Sequence, residues 1–324
     1  MSNQLLSLYA PVLEDLEKVK EGLKAMAIGA DYAILADMLD HVLDTPGKVI
    51  RPAVTMLASQ FGPEGQGNAL YMARAVELLH IATLIHDDTV DRSALRRGKA
   101  TIHSLWGEKV AVLVGDYVFA LSATCVCDTN NVRVIRRFAE TIMELSSGEL
   151  MEYMASRDWT VTREQYLERT YRKTASLFRT ATESGAVLSG VGEDVVKALS
   201  DYGYNLGMAF QVMDDILDIE GDADEVGKPV GSDLLQGTLT LPSILLIERQ
   251  PENNPIQALF DGVDPDINLE RTVSLIRDSS IMQDSYALAG EFAEKAIRAL
   301  DVLPDNEARR CMAGLAHYAV QRRV

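Results

Sequence analysis

The sequence contains little cysteine and no excess of positive charge. Three cysteines in 324 residues, with no Cys-x-x-Cys pair, argue against a disulfide-stabilised domain and against a thiolate zinc site. The 31 Lys and Arg residues are outnumbered by 48 Asp and Glu residues, which gives a net charge of −17. This charge argues against a nucleic-acid-binding protein, because such proteins need a basic face. The N-terminus shows no basic start followed by an apolar core, so we expect a cytoplasmic protein without a signal peptide.

Proline and aromatic residues are also scarce. No proline lies between Pro63 and Pro229, and this stretch therefore permits long helices. Aromatic residues make up 6% of the chain, which disfavours a β-rich fold. Apolar residues recur every three or four positions, as at Met72, Val76 and Leu79. We predict one all-α domain over residues 1–324, with helices at 3–26, 32–43, 48–61, 67–92, 107–127, 131–155, 163–189, 193–220, 238–250, 267–277, 281–301 and 305–322.

The predicted helix at 107–127 is more apolar than a surface helix should be. Its apolar run extends from Val110 to Cys127 and is interrupted by Asp116. A buried helix explains this run better than a membrane span does. The helix is expected either at the centre of a helical bundle or at a subunit interface.

Two acidic motifs end long apolar helical stretches. Asp87 and Asp91 are four positions apart in HDDTVD at 86–91, and Asp214 and Asp218 are four apart in QVMDDILD at 211–218. Side chains four apart share one helix face, where like charges destabilise the helix unless something compensates them. A bound cation is the simplest compensation. Hard oxygen ligands with few other donors favour Mg²⁺, which completes its shell with water and substrate phosphate.

Basic residues lie beside these motifs and in two further helices. Guanidinium and ammonium groups are the usual protein ligands of phosphate. Carboxylates for a metal together with bases for phosphate predict a Mg²⁺-dependent site for a diphosphate ester. The bases concerned are Lys48, Arg51, Arg92, Arg96, Arg97, Lys99, Lys173 and Lys228.

Six sequence blocks, in this order, resemble the all-trans polyprenyl diphosphate synthases. The blocks are GKVIRP at 47–52, ELLHIATLIHDDTVD at 77–91, RRG at 96–98, KTA at 173–175, QVMDDILD at 211–218 and GKPVGSDLLQGTLTLP at 227–242. These enzymes are head-to-tail prenyltransferases of the isoprenoid synthase fold. The resemblance implies a single large helical bundle with a central apolar cavity.

The resemblance also implies roles for individual residues. Three Mg²⁺ ions on the diphosphate of an allylic substrate would be held by Asp87, Asp91 and Asp214. Three further carboxylates would contact the metal ions through water or would support the metal ligands without contacting the ions. They are Asp88, Asp215 and Asp218. The allylic diphosphate would be bound by Arg96, Lys173 and Lys228, and isopentenyl diphosphate by Lys48, Arg51, His80 and Arg97.

The implied reaction proceeds through an allylic carbocation. The carbonyl oxygen of Lys173, the hydroxyl of Thr174 and the amide of Gln211 would stabilise this cation, which the double bond of isopentenyl diphosphate then attacks. A proton would be lost to the released diphosphate. One position departs from the pattern: Thr238 stands where many members carry a Lys beside the allylic diphosphate. Medium- and long-chain members resemble this sequence in lacking that Lys.

The residues before the first acidic motif bear on product length. Short-chain enzymes of the family usually place an aromatic residue five positions before the first Asp, and this chain has Ala82 there, followed by Thr83. We expect the product to pass this point and reach thirty to fifty carbons, from a farnesyl or geranylgeranyl diphosphate primer. Leu79 and Val76, with Met143, are candidates for a deeper floor. A twenty-carbon product is the alternative.

A different alternative is a non-catalytic partner subunit of a two-component synthase. Such partners usually lose aspartates from one or both motifs, and both motifs are complete here. The resemblance implies a homodimer that binds isopentenyl diphosphate and an allylic prenyl diphosphate. We expect no nucleic-acid partner and no membrane span, with at most a loose membrane association through the product.

Overall fold

The computed structural model describes residues 3–29, 32–43, 47–64, 67–221, 230–252 and 254–322. The α-helices in order are α1 (Asn3–Leu8), α2 (Leu13–Ile28), α3 (Ala33–Leu43), α4 (Ile50–Ala58), α5 (Gly67–Val90), α6 (Ile102–Trp106), α7 (Glu108–Asp128), α8 (Val132–Met154), α9 (Arg163–Thr170), α10 (Ser176–Leu188), α11 (Glu193–Glu220), α12 (Ser232–Gln236), α13 (Leu241–Arg249), α14 (Ile256–Phe260), α15 (Pro265–Arg277), α16 (Ile281–Ala299) and α17 (Glu307–Gln321). Single 3₁₀ turns occur at Ala10–Val12, Ser59–Phe61 and Leu300–Val302.

The all-α prediction is confirmed, and the long helices begin and end within a few residues of their predicted bounds. Two predicted helices are divided. The helix predicted at 3–26 breaks near Tyr9, and the one at 163–189 contains a π-helical turn at Tyr171–Ala175. The short helices α6, α12 and α14 were not predicted, because five residues are too few for a clear apolar period.

A small hairpin follows α5 and was also not predicted. Strands β1 (Leu95–Arg96) and β2 (Lys99–Ala100) pair in antiparallel fashion. Arg97 and Gly98 join them with positive φ angles of 52° and 77°. Two residues with positive φ form the hairpin turn whose twist matches the twist of the strands. The Arg-Arg-Gly block is therefore the tip of this hairpin.

The chain forms two compact units, each assembled from separate segments. Unit 1 comprises Met1–Ala139, Thr180–Ser200 and Val302–Met312. In its core, α5 packs against α2, α4 and α7. The approach of α5 to α7 is close: a Cβ atom on Gly115 would lie 2.2 Å from Nε2 of His86. Glycine at 115 therefore lets the first acidic motif lie directly against α7.

Unit 2 comprises Glu140–Arg179, Asp201–Asp301 and Ala313–Val324. Its core surrounds the buried side of α11, with Val212, Ile216 and Ile219 packed among apolar residues of α13, α15 and α16. This packing fixes the second acidic motif, which lies in the last turns of α11. The prediction of one domain over 1–324 stays a prediction.

Helix α7 is long and apolar enough to cross a membrane by length and composition alone. In its most apolar window, 39% of the residues are buried within the chain. Leu113 has 67% of its surface exposed, and Val112 is also exposed. One side of α7 thus belongs to the core of unit 1, and another side presents apolar residues outside that core.

Candidate active site

The first acidic motif lies at the C-terminal end of α5. Asp87 is half-buried in the last turn, and Asp91 follows the helix and is exposed. The amide of Asp91 donates to the carbonyl oxygen of Asp87 at 2.8 Å, so the helical turn continues to Asp91. The C-terminal end of a helix carries partial negative charge, which makes two carboxylates there unfavourable without a cation. The motif is therefore arranged to receive positive charge.

Asp88 has a different environment from its neighbour Asp87. Its carboxylate is buried and accepts a hydrogen bond from Nε of Arg96 at 2.7 Å. This ion pair attaches the hairpin to α5. Arg96, predicted to bind the allylic diphosphate, is thus held beside the first acidic motif.

The hairpin tip meets the segment that begins α4. A Cβ atom on Gly47 would lie 2.7 Å from Nη1 of Arg97, so the absence of a side chain at 47 admits the guanidinium. The carbonyl of the next residue, Lys48, accepts a hydrogen bond from the Tyr9 hydroxyl at 2.8 Å. The structure therefore brings together two blocks that are about 50 residues apart in the sequence.

A cavity of about 360 Å³ opens in unit 1 beside these residues. It is lined by Gly47, Glu77, His80, Arg96 and Arg97, among others. Burial lowers the pKa of His80 well below its ordinary value of 6.5, and the nearby charges of Arg51, Arg97 and Arg96 lower it further. His80 is consequently neutral at physiological pH. The arginines supply positive charge that suits a diphosphate.

Glu77 was not among the predicted site residues. It lies one helical turn before His80 on α5 and lines the same cavity. Burial raises the pKa of Glu77, while Arg51 and Arg97 oppose that rise. Its spacing of three from His80 was the signal in the sequence, since residues three apart share a helix face.

In the second acidic motif, Asp214 forms an ion pair with a residue far along the chain. Nη2 of Arg322 lies 2.8 Å from Oδ1 of Asp214. The Arg322 side chain is 4% exposed, while that of Asp214 is 42% exposed. Arg322 also donates to the carbonyl oxygens of Phe210 at 2.6 Å and Ala319 at 3.2 Å. Nothing in the sequence indicated this pairing.

Asp215 and Asp218 are engaged within unit 2. The carboxylate of Asp215 accepts hydrogen bonds from the Tyr166 hydroxyl at 2.6 Å and from Nε2 of Gln211 at 2.9 Å. Burial raises the pKa of Asp215 to about 7. Asp218 accepts from the backbone amide of Ser232 at 3.1 Å and from its hydroxyl at 2.7 Å, and so holds the start of α12.

The predicted catalytic residues Lys173 and Thr174 lie in the π-helical turn. Such turns widen the helix by one residue and occur frequently at functional sites. The Thr174 hydroxyl donates to Oε1 of Gln211 at 2.7 Å. Nζ of Lys173 is paired with carboxylates of Glu149 at 3.0 Å and Glu152 at 2.6 Å.

Other predicted positions have mixed outcomes. Lys228 lies outside the described residues. Ala82, Leu79 and Val76 are fully buried in α5, and Thr83 is half-buried. Met143, a further candidate for the floor, is 64% exposed on α8, and its role stays a prediction.

The aspartates predicted to hold a metal have the oxygen donors that Mg²⁺ prefers. Within the described ranges, no three His, Cys, Asp or Glu side chains come together as a site made of protein ligands alone. Mg²⁺ is usually held by one or two carboxylates and keeps water and substrate oxygens in its shell. Asp87 and Asp91 in unit 1 and, separately, Asp214 in unit 2 are each at least partly exposed, which is the accessibility that this mode of binding requires.

Comparison with known proteins decides the family. The family model described as polyprenyl synthetase matches residues 32–268. The chain belongs to the polyprenyl synthetase family. This polyprenyl synthetase is 37% identical to heptaprenyl diphosphate synthase component 2 of Geobacillus stearothermophilus, over 98% of this chain and 99% of that one. It is 36% identical to the chloroplastic solanesyl-diphosphate synthase 2 of Oryza sativa subsp. japonica, over 98% of this chain and 79% of that one.

A solved structure agrees with these relatives. The polyprenyl synthase of Caulobacter crescentus CB15, complexed with calcium and isoprenyl diphosphate, matches with a TM-score of 0.92 and 35% identity, over 99% of this chain and 98% of that one. The protein is therefore a trans-prenyltransferase of isoprenoid biosynthesis with the isoprenoid synthase fold. The family resemblance read from the six blocks is confirmed.

Proposed function

We propose that this polyprenyl synthetase condenses isopentenyl diphosphate with farnesyl or geranylgeranyl diphosphate, with three Mg²⁺ ions, to all-trans products of thirty to fifty carbons. The observation that carries the proposal is the cavity of unit 1, where His80 and Arg97 from separate segments line one positively charged space. Such a space matches the size and charge of a small diphosphate ester.

In this proposal, the cavity of unit 1 binds isopentenyl diphosphate. The guanidinium group of Arg97, which lines the cavity, would bind its phosphate oxygens as a charged hydrogen-bond donor. Arg51 and Lys48, which are not among the lining residues, would reach the diphosphate from the segment that begins α4. Neutral His80 adds a hydrogen-bond donor or acceptor without changing the charge of the cavity.

Asp87, Asp91 and Asp214 would hold the Mg²⁺ ions, and Arg96, Lys173 and Lys228 would bind the allylic diphosphate. When bound, the ions supply positive charge to the leaving diphosphate. The calcium in the Caulobacter crescentus CB15 structure supports a divalent cation in this family.

The side chains of unit 2 would stabilise the allylic carbon as its bond to oxygen breaks. The oxygen dipoles of Thr174 and Gln211, with the Lys173 carbonyl, direct negative charge toward the cation. The double bond of isopentenyl diphosphate then forms the new carbon–carbon bond. The proton released in that step passes to the departing diphosphate, so the atoms and charges balance.

The proposed product length rests on the residues of α5 that precede the first acidic motif. Ala82 and Thr83 replace an aromatic floor, and Leu79 and Val76 provide a deeper one. The names of the heptaprenyl and solanesyl relatives denote medium and long products, which supports this assignment. The alternative is a product of twenty carbons, and sizing the products distinguishes it from longer ones.

A second candidate function has one observation in its favour. The Geobacillus stearothermophilus relative is named a component, which indicates that it acts with another chain. The present chain would then need a partner for activity. Against a non-catalytic role, both acidic motifs are complete.

We further propose a cytoplasmic homodimer that uses the exposed apolar side of α7. Leu113 and Val112 provide the apolar surface. The prenyl product gives the enzyme, at most, a loose association with membranes.

The experiment that tests the proposal incubates the purified chain with Mg²⁺, isopentenyl diphosphate and farnesyl diphosphate, and sizes the dephosphorylated products by mass spectrometry. A ladder reaching thirty carbons or more is expected. A stop at twenty carbons would overturn the length assignment but not the reaction. Absence of elongation with any primer, followed by activity on adding a second chain, would favour the two-component function.

A further inference from the structure

Four side chains of unit 2, two of them from the second acidic motif, form a continuous hydrogen-bonded series. The Tyr166 hydroxyl donates to Oδ2 of Asp215 at 2.6 Å, and Oδ1 of Asp215 accepts from Nε2 of Gln211 at 2.9 Å. Oε1 of Gln211 in turn accepts from the Thr174 hydroxyl at 2.7 Å. Tyr166 and Asp215 are buried within the core of the unit.

This series fixes the orientation of the Gln211 amide. Its nitrogen side is directed to a carboxylate oxygen, which accepts hydrogen bonds, and its oxygen side is directed to a hydroxyl, which donates one. Rotation of the amide by 180° would place its NH₂ group against the Thr174 hydroxyl and its oxygen against the Asp215 carboxylate. Asp215 therefore selects one direction of the amide dipole.

Tyr166 in turn holds Asp215. The hydroxyl occupies the second carboxylate oxygen, so the carboxyl group cannot rotate without losing a buried hydrogen bond. The guanidinium of Arg169 lies 5.8 Å from the centre of the Tyr166 ring, and Arg169 donates to the carbonyl of Leu239 at 2.5 Å. The tyrosine is thus packed on a side chain that is itself anchored.

The two consecutive aspartates of the motif lie in different environments. Asp214 is 42% exposed and pairs with Arg322, whereas the whole of Asp215 is 2% exposed and contacts Tyr166 and Gln211. Consecutive residues on a helix do not face the same direction, so one can bind an ion while the next supports the interior. The resemblance implies that Asp215 supports the metal ligands. Its hydrogen bond in the structure is instead to the amide of Gln211.

We propose that Tyr166 and Asp215 are positioning residues that act through Gln211 and Thr174 on the allylic cation, and not through the metal ions. This inference rests on the proposed function. Dipoles held in place before the reaction stabilise developing charge without the cost of reorienting during it. Tyr166 lies outside the blocks that carried the family resemblance, and no role was predicted for it.

The test compares Tyr166→Phe with Tyr202→Phe. Tyr202 is another fully buried tyrosine of unit 2, in α11, and lies outside the series, so it controls for the loss of a buried hydroxyl. For each variant, kcat and both KM values are measured, together with the unfolding midpoint. Mn²⁺ affinity is measured by electron paramagnetic resonance with inorganic diphosphate as the probe, without turnover.

For Tyr166→Phe we expect kcat to fall roughly 10- to 100-fold, by analogy with the loss seen when the hydrogen-bond partner of a metal-binding side chain is removed. Both KM values and the Mn²⁺ affinity should stay as in the wild type. Tyr202→Phe should lower the unfolding midpoint without this fall in kcat. A fall in Mn²⁺ affinity matching the fall in kcat, or an unchanged kcat, would overturn the proposal.

Asp215→Asn provides a second route if Tyr166→Phe fails to fold. Asn keeps the shape but offers one oxygen acceptor in place of two, so the amide of Gln211 is no longer held in one direction. The same loss of kcat with unchanged Mn²⁺ affinity is expected. Weakened Mn²⁺ binding would show that Asp215 acts through the metal ions and would overturn the proposal. A wild-type chain that shows no condensation would instead refute the proposed function itself.

Discussion

His80 illustrates how a single side chain couples the site to pH. Its pKa is lowered in the folded chain, mainly by burial and then by three arginines, relative to 6.5 in an exposed histidine. Below that value the unfolded chain binds a proton that the folded chain does not. Stability contributed by neutral His80 is therefore present above about pH 6.5 and is lost as the pH falls toward the folded pKa.

We expect His80→Gln to reduce this loss. Between about pH 7 and pH 5.5 the wild type should lose on the order of 1 kcal/mol more unfolding free energy than the variant does. Urea unfolding at the two pH values measures the difference. Equal losses in both proteins would show that His80 is protonated in the folded chain.

Arg322 stabilises unit 2 through several contacts of one buried side chain. Arg322→Met would leave the carbonyl of Phe210 and the carboxylate of Asp214 without this donor, at a cost of about 1–3 kcal/mol. Arg310→Met, on helix α17, which ends one residue before Arg322, removes an ion pair with Asp305 whose two side chains are largely exposed. Urea unfolding should detect the first change and little of the second. Similar losses would contradict the stabilising role given to Arg322.

At the scale of elements, the hairpin depends on its turn. Gly98 has φ 77° and open space around its Cα, so an added Cβ would meet no neighbouring atom. Gly98→Ala should cost about 1–2 kcal/mol through backbone strain alone, and should displace Arg96 and Arg97. We expect a higher KM for isopentenyl diphosphate, measured by steady-state kinetics.

Gly262 provides a matched control in unit 2. Its φ is 76°, and space around it is also open. Gly262→Ala should lower stability by a similar amount and leave KM as in the wild type. Equal effects of both variants on KM would contradict the prediction that the hairpin turn positions residues for substrate binding.

Helix α5 carries the prediction on product length. Ala82 lies five residues before Asp87, about 7 Å along the helix. Ala82→Phe should restore an aromatic floor and shorten the product, as mass spectrometry would show. Because Ala82 is fully buried, the larger side chain should also cost about 1–3 kcal/mol. Thr83→Phe, at a half-buried position, tests the same idea with less overpacking.

Ala69→Phe controls for overpacking alone, because Ala69 is also buried in α5 but lies near its other end. Shorter products from Ala82→Phe and Thr83→Phe, with unchanged products from Ala69→Phe, are expected. Unchanged products from all three variants would refute the missing-floor argument.

The sequence predicts the long helices and the acidic motifs well, because both depend on spacing within one element. Asp87 and Asp91 share a face by helical geometry alone. The π-helical turn at Tyr171–Ala175 has no such periodic signal, since its extra residue is inserted into an otherwise regular helix. The hairpin has strands of two residues, too short to show alternation.

Pairings between distant segments could not be predicted either. Asp214 meets Arg322 and Asp215 meets Tyr166 only because tertiary packing brings distant segments together. The sequence predicted which residues form the candidate site, but it gave no sign of which side chains pair with one another. Glu149 and Glu152 beside Lys173 are a further example.

At the scale of the whole molecule, α7 carries the prediction of self-association. Leu113 is 67% exposed, and a charge there would be buried in an interface formed by this side of the helix. Leu113→Glu should shift the purified protein from dimer to monomer in light scattering coupled to size-exclusion chromatography. A wild-type monomer, or a dimer that persists in the variant, would contradict this interface.

The assembly of each unit from three separated segments governs how the chain can acquire its structure. Unit 1 takes its last segment from Val302–Met312, and unit 2 takes its last segment from Ala313–Val324. Many multidomain proteins complete their N-terminal domain while the rest is still being synthesised. Here neither unit has all its segments until the ribosome has translated beyond residue 301. The nascent chain therefore exposes apolar helices for most of its synthesis, and protection by chaperones during translation should matter more for this protein than for one with contiguous domains.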